Sequence, residues 1–198
     1  MSTINDIEKK IYLKYQQDGI LETLIGILII SFAFGIHFDF DFIGAIVPLF
    51  GVPAFYALKK KITLPKLGYI KFSNTRQKKI KIEKYVFRIF FFLIMTLGII
   101  IYFYFTKDSQ HEPFLRKFIL LPFGIIGLIC FSLIAIFKKL LRFIFYALIL
   151  LLSTIIGPML NIPDPIYLSI AGGIITITGL IFLSIFTKKY SSYIGGQE

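Results

Sequence analysis

Residues 118–142 read FILLPFGIIGLICFSLIAIFKKLLR, an unbroken apolar run that ends at a pair of lysines and an arginine. A helix rises about 1.5 Å per residue, so about 20 apolar residues cross the hydrocarbon core of a bilayer. Backbone polar groups find no water in that core, and a helix satisfies them within its own segment. The stretch therefore predicts a transmembrane helix with one basic end.

The same pattern recurs along the chain. Six apolar runs lack Asp, Glu, Lys and Arg, and they cover residues 23–38, 42–58, 89–106, 118–137, 143–163 and 166–187. We therefore predict an all-α integral membrane protein with six transmembrane helices in three hairpins. The predicted segments are an amphipathic helix (1–18), a first transmembrane hairpin (19–58), a basic link (59–88), four further transmembrane helices (89–189) and a short tail (190–198).

The distribution of positive charge predicts the orientation. In this arrangement 19 of the 22 Lys and Arg residues fall on one side, and basic residues near the ends of spans stay cytoplasmic. We therefore expect a multi-pass protein of the cell (inner) membrane with both termini in the cytoplasm. The net charge of +11 is explained by this topology and by anionic inner-leaflet lipids as partners, so nucleic acid is not an expected partner.

Two cytoplasmic elements are predicted from periodicity. Ile4, Ile7, Ile11 and Tyr15 recur at helical spacing and give residues 1–18 one apolar face. Apolar and polar residues alternate on both sides of a turn within 62–83, which predicts a small β-hairpin between the second and third transmembrane helices. Two strands alone are marginal in water, so this hairpin needs the membrane, the amino-terminal helix or a second subunit to pack on.

The sequence offers little chemistry. It contains no HExxH, Walker or CxxC pattern, so we expect no catalytic residue, no bound metal and no cofactor. Glu22 immediately precedes the first apolar run and is the ionisable residue that the first span would carry into the bilayer, where carboxylates are candidates for function. It lies in the first turn of that span, where it forms either an interfacial ion pair with Lys14 or with Lys59, Lys60 or Lys61, or a coupling site.

Two short stretches carry a resemblance. Residues 14–22 read KYQQDGILE, and residues 62–72 read ITLPKLGYIKF. This part of the chain, approximately residues 1–75, resembles a set of uncharacterised prokaryotic multi-spanning membrane proteins. Those proteins carry a QDG…E element before the first span and a T-x-P-[KR]-x-G-Y-[VI]-x-F element after the second. The resemblance implies no activity, but it marks a set of candidate functional or interfacial residues. They are Asp18, Gly19, Glu22, Pro65, Lys66, Gly68 and Tyr69.

Three functions are compatible with these patterns. The first is a non-catalytic structural, regulatory or interaction component whose basic cytoplasmic face meets anionic lipids or a protein partner, as a monomer or an oligomer. Its predicted lipid contacts are Lys59, Lys60, Lys61, Lys78 and Lys79. The second is a small transporter or channel subunit that uses Glu22 and the proline-bent second helix, and the third is a lipid-modifying enzyme. A transporter should place Glu22, Ser31 and Thr96 around one water-accessible cavity, whereas a scaffold should have a dry core.

Overall fold

The computed structural model describes residues 12–38, 50–51, 53–67, 85, 118 and 120–190. Within these residues the structure bounds five α-helices, which are α1 (Ile20–His37), α2 (Leu64–Leu67), α3 (Leu121–Lys138), α4 (Arg142–Met159) and α5 (Asp164–Lys189). A π-helical turn, Lys59–Thr63, leads directly into α2, and further helical turns cover residues 12–16 and 53–58.

Four helical segments are long and apolar enough to cross a membrane. They are Tyr12–His37, which is α1 with the helical turn before it, together with α3, α4 and α5, and their mean hydropathy lies between 1.8 and 2.2. Large apolar side chains such as Ile136, Phe145 and Ile177 are exposed on these helices. Such a surface suits contact with lipid, and these four helices confirm the prediction of a helical membrane protein.

The prediction of six transmembrane helices and a β-hairpin is wrong for the structure as described. In residues 12–38, 50–67 and 120–190, apart from position 52, there are four candidate spans and no strand. The second apolar run also does not end at its lysines, because the helical path continues through Lys59–Thr63 to Leu67. Residues 62–67 of the predicted hairpin segment 62–83 are helical. The rest of that segment, the run 89–106 and most of the predicted helix 1–18 lie outside the described residues.

Close packing of α1 on α5 depends on small residues. A Cβ added at Gly26 would lie 2.2 Å from Thr176 Oγ1 and 2.6 Å from the Thr176 backbone nitrogen. One added at Gly172 would lie 2.9 Å from the Ile30 side chain. Small residues allow two helix backbones to approach in a membrane, and here they join the first and last described helices.

The turns on either side of α4 make α3, α4 and α5 antiparallel neighbours. Lys139 adopts a left-handed conformation at the end of α3, with φ of 55°, and its backbone amide donates to Ala135 O. Asn161, between α4 and α5, also adopts a left-handed conformation, with φ of 55°. Phe131, Phe143 and Tyr146 form edge-to-face pairs in the core between α3 and α4. The amino ends of α1 and α4 therefore share one end of the bundle with the carboxyl ends of α3 and α5.

The close approach of α1 and α5 gives a first prediction. Gly26→Ala should destabilise the protein by about 2 kcal/mol, because the new methyl group meets backbone as well as side-chain atoms. Gly173→Ala is the matched control, since a Cβ there meets nothing within 4 Å, and it should stay within about 1 kcal/mol of wild type. Thermal unfolding in detergent measures both, and equal stability of the two variants would contradict the packing described.

Candidate functional site

Positive charge is collected at one end of the bundle. Every Lys and Arg that the structure describes lies there, at the amino ends of α1 and α4, the carboxyl ends of α3 and α5, and along 59–67. They are Lys14, Lys59, Lys60, Lys61, Lys66, Lys138, Lys139, Arg142, Lys188 and Lys189. We call this region the basic end.

The Asp18 carboxylate lies inside the basic end and is 0% exposed. Its Oδ2 is 2.7 Å from Lys59 Nζ, and the same oxygen accepts a hydrogen bond from the Thr63 hydroxyl. Its Oδ1 accepts a hydrogen bond from the Ile20 amide at 3.2 Å, which satisfies one of the open donors at the start of α1. Both oxygens are therefore occupied, and the negative charge faces the positive end of the α1 dipole.

The bend of the chain between Asp18 and α1 depends on Gly19. Its φ of 78° is left-handed, a conformation that glycine adopts without steric cost. A Cβ at this position would also lie 2.3 Å from the backbone oxygen of Gly179 and 2.6 Å from the Leu183 nitrogen. The chain therefore bends at Gly19 and places the start of α1 directly against the backbone of α5.

Lys59 is the cation of the first buried pair, with 2% of its side chain exposed. Besides Asp18, its ammonium group donates to Tyr15 O and lies 4.2 Å from the centroid of the Tyr15 ring. Burial lowers the pKa of the Lys59 ammonium from its ordinary value, and the Asp18 carboxylate opposes that shift. The π-helical turn Lys59–Thr63 is a geometry that recurs at functional sites, and here its first and last residues both reach Asp18.

A second buried pair joins Glu22 and Arg142. Glu22 is 0% exposed and Arg142 is 18% exposed, and Arg142 Nη2 forms an ion pair with Glu22 Oε1. The guanidinium also donates to Gln16 O at 3.5 Å and lies 4.3 Å from the centroid of the Phe182 ring. Glu22 Oε2 and Arg142 Nε have no hydrogen-bond partner among the described residues. The two opposite charges are therefore in contact, but the pair is incompletely hydrogen-bonded.

The 12–18 segment contacts the cations of both pairs. Tyr12 and Gln16 are each 6% exposed, whereas Lys14 and Gln17 are exposed. Lys138 Nζ donates to the Tyr12 hydroxyl at 3.1 Å, and Lys14 lies 6.0 Å from the centroid of the Tyr190 ring. The segment thus has one side towards the charged groups and one side outward.

The structure brings the two elements of the resemblance into contact. Asp18 belongs to the QDG…E element, and Thr63, which donates to it, is the first residue of the T-x-P-[KR] element. Pro65 and Lys66 follow in α2, where Lys66 Nζ donates to Thr187 O near the end of α5 at 2.9 Å. Gly68 and Tyr69 lie outside the described residues.

The predicted lipid contacts divide into two groups. Lys60 and Lys61 are exposed, but the burial of Lys59 and its pairing with Asp18 are incompatible with a headgroup contact in this conformation. Lys78 and Lys79 lie outside the described residues. Glu22 is paired with Arg142 instead of the expected lysines, and it is buried rather than interfacial.

Sequence reasoning missed Thr63, Arg142 and Gln16. Thr63 could have been identified, because it is the first residue of the second element of the resemblance. Arg142 is the only arginine between the apolar runs 118–137 and 143–163. Gln16 contributes through its backbone oxygen, which no side-chain pattern reveals.

A cavity of about 400 Å³ lies at the opposite end of the bundle. It is lined by Ala33, Phe34, His37, Pro165, Ile166, Ser169 and Ile170. Glu22 does not reach it, and the Ser31 hydroxyl donates to Ile27 O of its own helix. Thr96 lies outside the described residues. The described residues hold no cluster of three metal-ligating side chains.

Comparison of the chain with protein-family models, curated proteins and solved structures finds no match. The charged end of the bundle and the segments that it joins are therefore the features of the described structure that point to a function.

The buried pair Glu22–Arg142 gives a second prediction. Glu22→Gln should cost on the order of 3 kcal/mol, because it leaves the largely buried Arg142 charge without its partner. Glu22→Gln combined with Arg142→Gln should recover part of that loss, since both charges are then absent. Chemical or thermal unfolding of the two single variants and the double variant measures the coupling, and additive costs would show that the two side chains do not interact.

Proposed function

We propose that this chain is a non-catalytic membrane component that presents a basic cytoplasmic face to anionic lipid headgroups and to a protein partner. The proposal concerns a structural or regulatory role. It depends on one observation, the net positive charge of the surface at the basic end.

That surface is positive because its acidic residues are internal. Asp18 and Glu22, the described carboxylates of the basic end, are both 0% exposed and paired. Six cations remain exposed there, and no described carboxylate lies among them. They are Lys14, Lys60, Lys61, Lys139, Lys188 and Lys189. Clusters of this kind at the ends of transmembrane helices attract anionic lipids.

The segregation of charge also supports the orientation. Lys and Arg near span ends favour the cytoplasmic side, and the opposite end, with His37 and Asp164, has no described Lys or Arg. The basic end is therefore assigned to the cytoplasm in this proposal.

The transporter alternative has weaker support. It draws on the buried Glu22, whose Oε2 has no hydrogen-bond partner among the described residues. Glu22 is nevertheless paired with Arg142, and the cavity at the other end of the bundle does not include it. Pro53 lies in a described helical turn, whereas Pro48 lies outside the described residues. A buried ion pair that joins helices serves structure as readily as transport.

The orientation gives a third prediction. In a Cys130→Ala background, which removes the single cysteine, Leu160→Cys should react with an impermeant maleimide in intact cells. Gln17→Cys should react only after the cells are permeabilised, because it lies at the basic end. Both positions are exposed, so access to solvent does not distinguish them. Reaction of Gln17→Cys in intact cells would reverse the assignment.

The exposed cations give a fourth prediction, on lipid preference. Replacing Lys60, Lys61, Lys188 and Lys189 with Gln should lower the enrichment of phosphatidylglycerol over phosphatidylcholine around the protein. Each well-placed cation contributes about 1 kcal/mol, so the loss should be on the order of tenfold or more. Native mass spectrometry of lipids retained from mixed nanodiscs measures this enrichment. The same positions changed to Arg should keep it, and an unchanged preference in the Gln variant would refute the proposed lipid contact.

A further inference from the structure

Three cations bind the helical turn 12–16 to the rest of the bundle. Lys59 and Arg142 donate to the oxygens of Tyr15 and Gln16, the last carbonyls of the helical turn 12–16. Lys138 donates to the hydroxyl of Tyr12. Lys59 belongs to the π-helical turn, whereas Lys138 and Arg142 flank the turn between α3 and α4, and all three converge on one short segment. Tyr12 is buried, but it lies outside the hydrophobic core cluster of the bundle.

Beneath the segment lies a polar contact that is not fully satisfied. Glu22 has no solvent exposure, and its Oε1 is held by Arg142 Nη2 in the ion pair, whereas Glu22 Oε2 and Arg142 Nε have no hydrogen-bond partner among the described residues. A buried polar atom without a partner is costly, and water or a ligand oxygen that reached this pair would remove the cost. Opening the segment to water or to a ligand would therefore lower the free-energy cost of burying this pair.

The non-helical bend at residues 17–19 lies where such a movement would pivot. It separates the helical turn 12–16 from α1, and the left-handed φ of 78° at Gly19 ends one helical path before the next begins. The α1 side of this pivot is fixed, because the close approach of Gly19 to Gly179 leaves no free space. The side that leads back to Gln16 is held by the polar contacts of the cations.

We propose that the helical turn 12–16 forms a hinged cover over the Glu22–Arg142 pair, that Asp18 stays paired with Lys59, and that anionic phospholipid headgroups open the cover by competing for Lys138 and Arg142. This inference rests on the proposed function, since it requires anionic lipid at the basic end. Hydrogen bonds to a charged phosphate oxygen are stronger than those to a neutral carbonyl or hydroxyl. Arg142 is 18% exposed and Lys138 is half-buried, so a headgroup can reach both while Lys59 is still enclosed.

Two neighbouring glutamines provide the test. Gln16→Cys reports on the covered side and Gln17→Cys on the open side of the same segment, each in a Cys130→Ala background. The ratio of their maleimide reaction rates is measured in nanodiscs of phosphatidylcholine alone and with phosphatidylglycerol. The ratio cancels the effect of surface charge on local pH. We expect it to rise at least tenfold in the anionic nanodiscs.

The outcomes separate the cover from the proposed function. An unchanged ratio with phosphatidylglycerol enriched around the protein would overturn the cover and leave the lipid contact standing. Absence of enrichment would overturn the proposed function itself. Inorganic phosphate added to neutral nanodiscs should leave the ratio unchanged, and an equal rise there would refute the assignment to lipid.

A matched pair of lysine variants tests the attachment. Lys138→Gln should raise the Gln16-to-Gln17 ratio in neutral nanodiscs, whereas Lys139→Gln, at the exposed neighbouring position, should not. Equal ratios in the two variants would overturn the role of Lys138. Amide hydrogen exchange of residues 12–16 in the wild type gives the same comparison without a cysteine. Exchange there should accelerate in anionic nanodiscs, and unchanged exchange would contradict the cover even if a cysteine variant failed to fold.

Discussion

The ion pair between Asp18 and Lys59 is the interaction on which the rest of the basic end depends. A lysine with 2% exposure beside an apolar bundle is unfavourable alone, and the carboxylate 2.7 Å away compensates its charge. The same carboxylate holds Thr63 and the first amide of α1, so one side chain joins three segments of the chain. Removing either partner would leave a buried charge without its counterion, which is more costly than never having the pair.

Helix packing and charge burial depend on each other in this bundle. Glycines at 19, 26, 172 and 179 let α1 and α5 approach at backbone distance, and this contact closes the space around Glu22. Once enclosed, Glu22 needs a cation, and the start of α4 supplies Arg142. Because Asp18 and Glu22 are buried and paired, the described exposed charges of the basic end are all positive. A lipid headgroup or an acidic partner would contact this positive surface.

The sequence predicted well what depends on composition and poorly what depends on pairing. The runs 118–137, 143–163 and 166–187 overlap α3, α4 and α5 almost completely, because apolar content and helix formation coincide in a membrane. The helical path continues past Leu58 to Leu67, which counting charges does not reveal, because it treats every lysine as solvated and Lys59 is buried. Motif position identified Asp18, Gly19 and Glu22 as candidates. The partners Thr63 and Arg142 are 45 and 120 residues away from them, and only the folded chain brings them together.

The most direct test of this account is the distance between Lys59 and Asp18 in a lipid bilayer. Solid-state dipolar recoupling between the side-chain ¹⁵N of lysine and the carboxylate ¹³C of aspartate measures it in the full-length protein. A contact shorter than about 4 Å that disappears in both Asp18→Asn and Lys59→Gln is the expected result. A signal that is absent from the wild type, or unchanged in those variants, would show that the basic end is not held together by this pair.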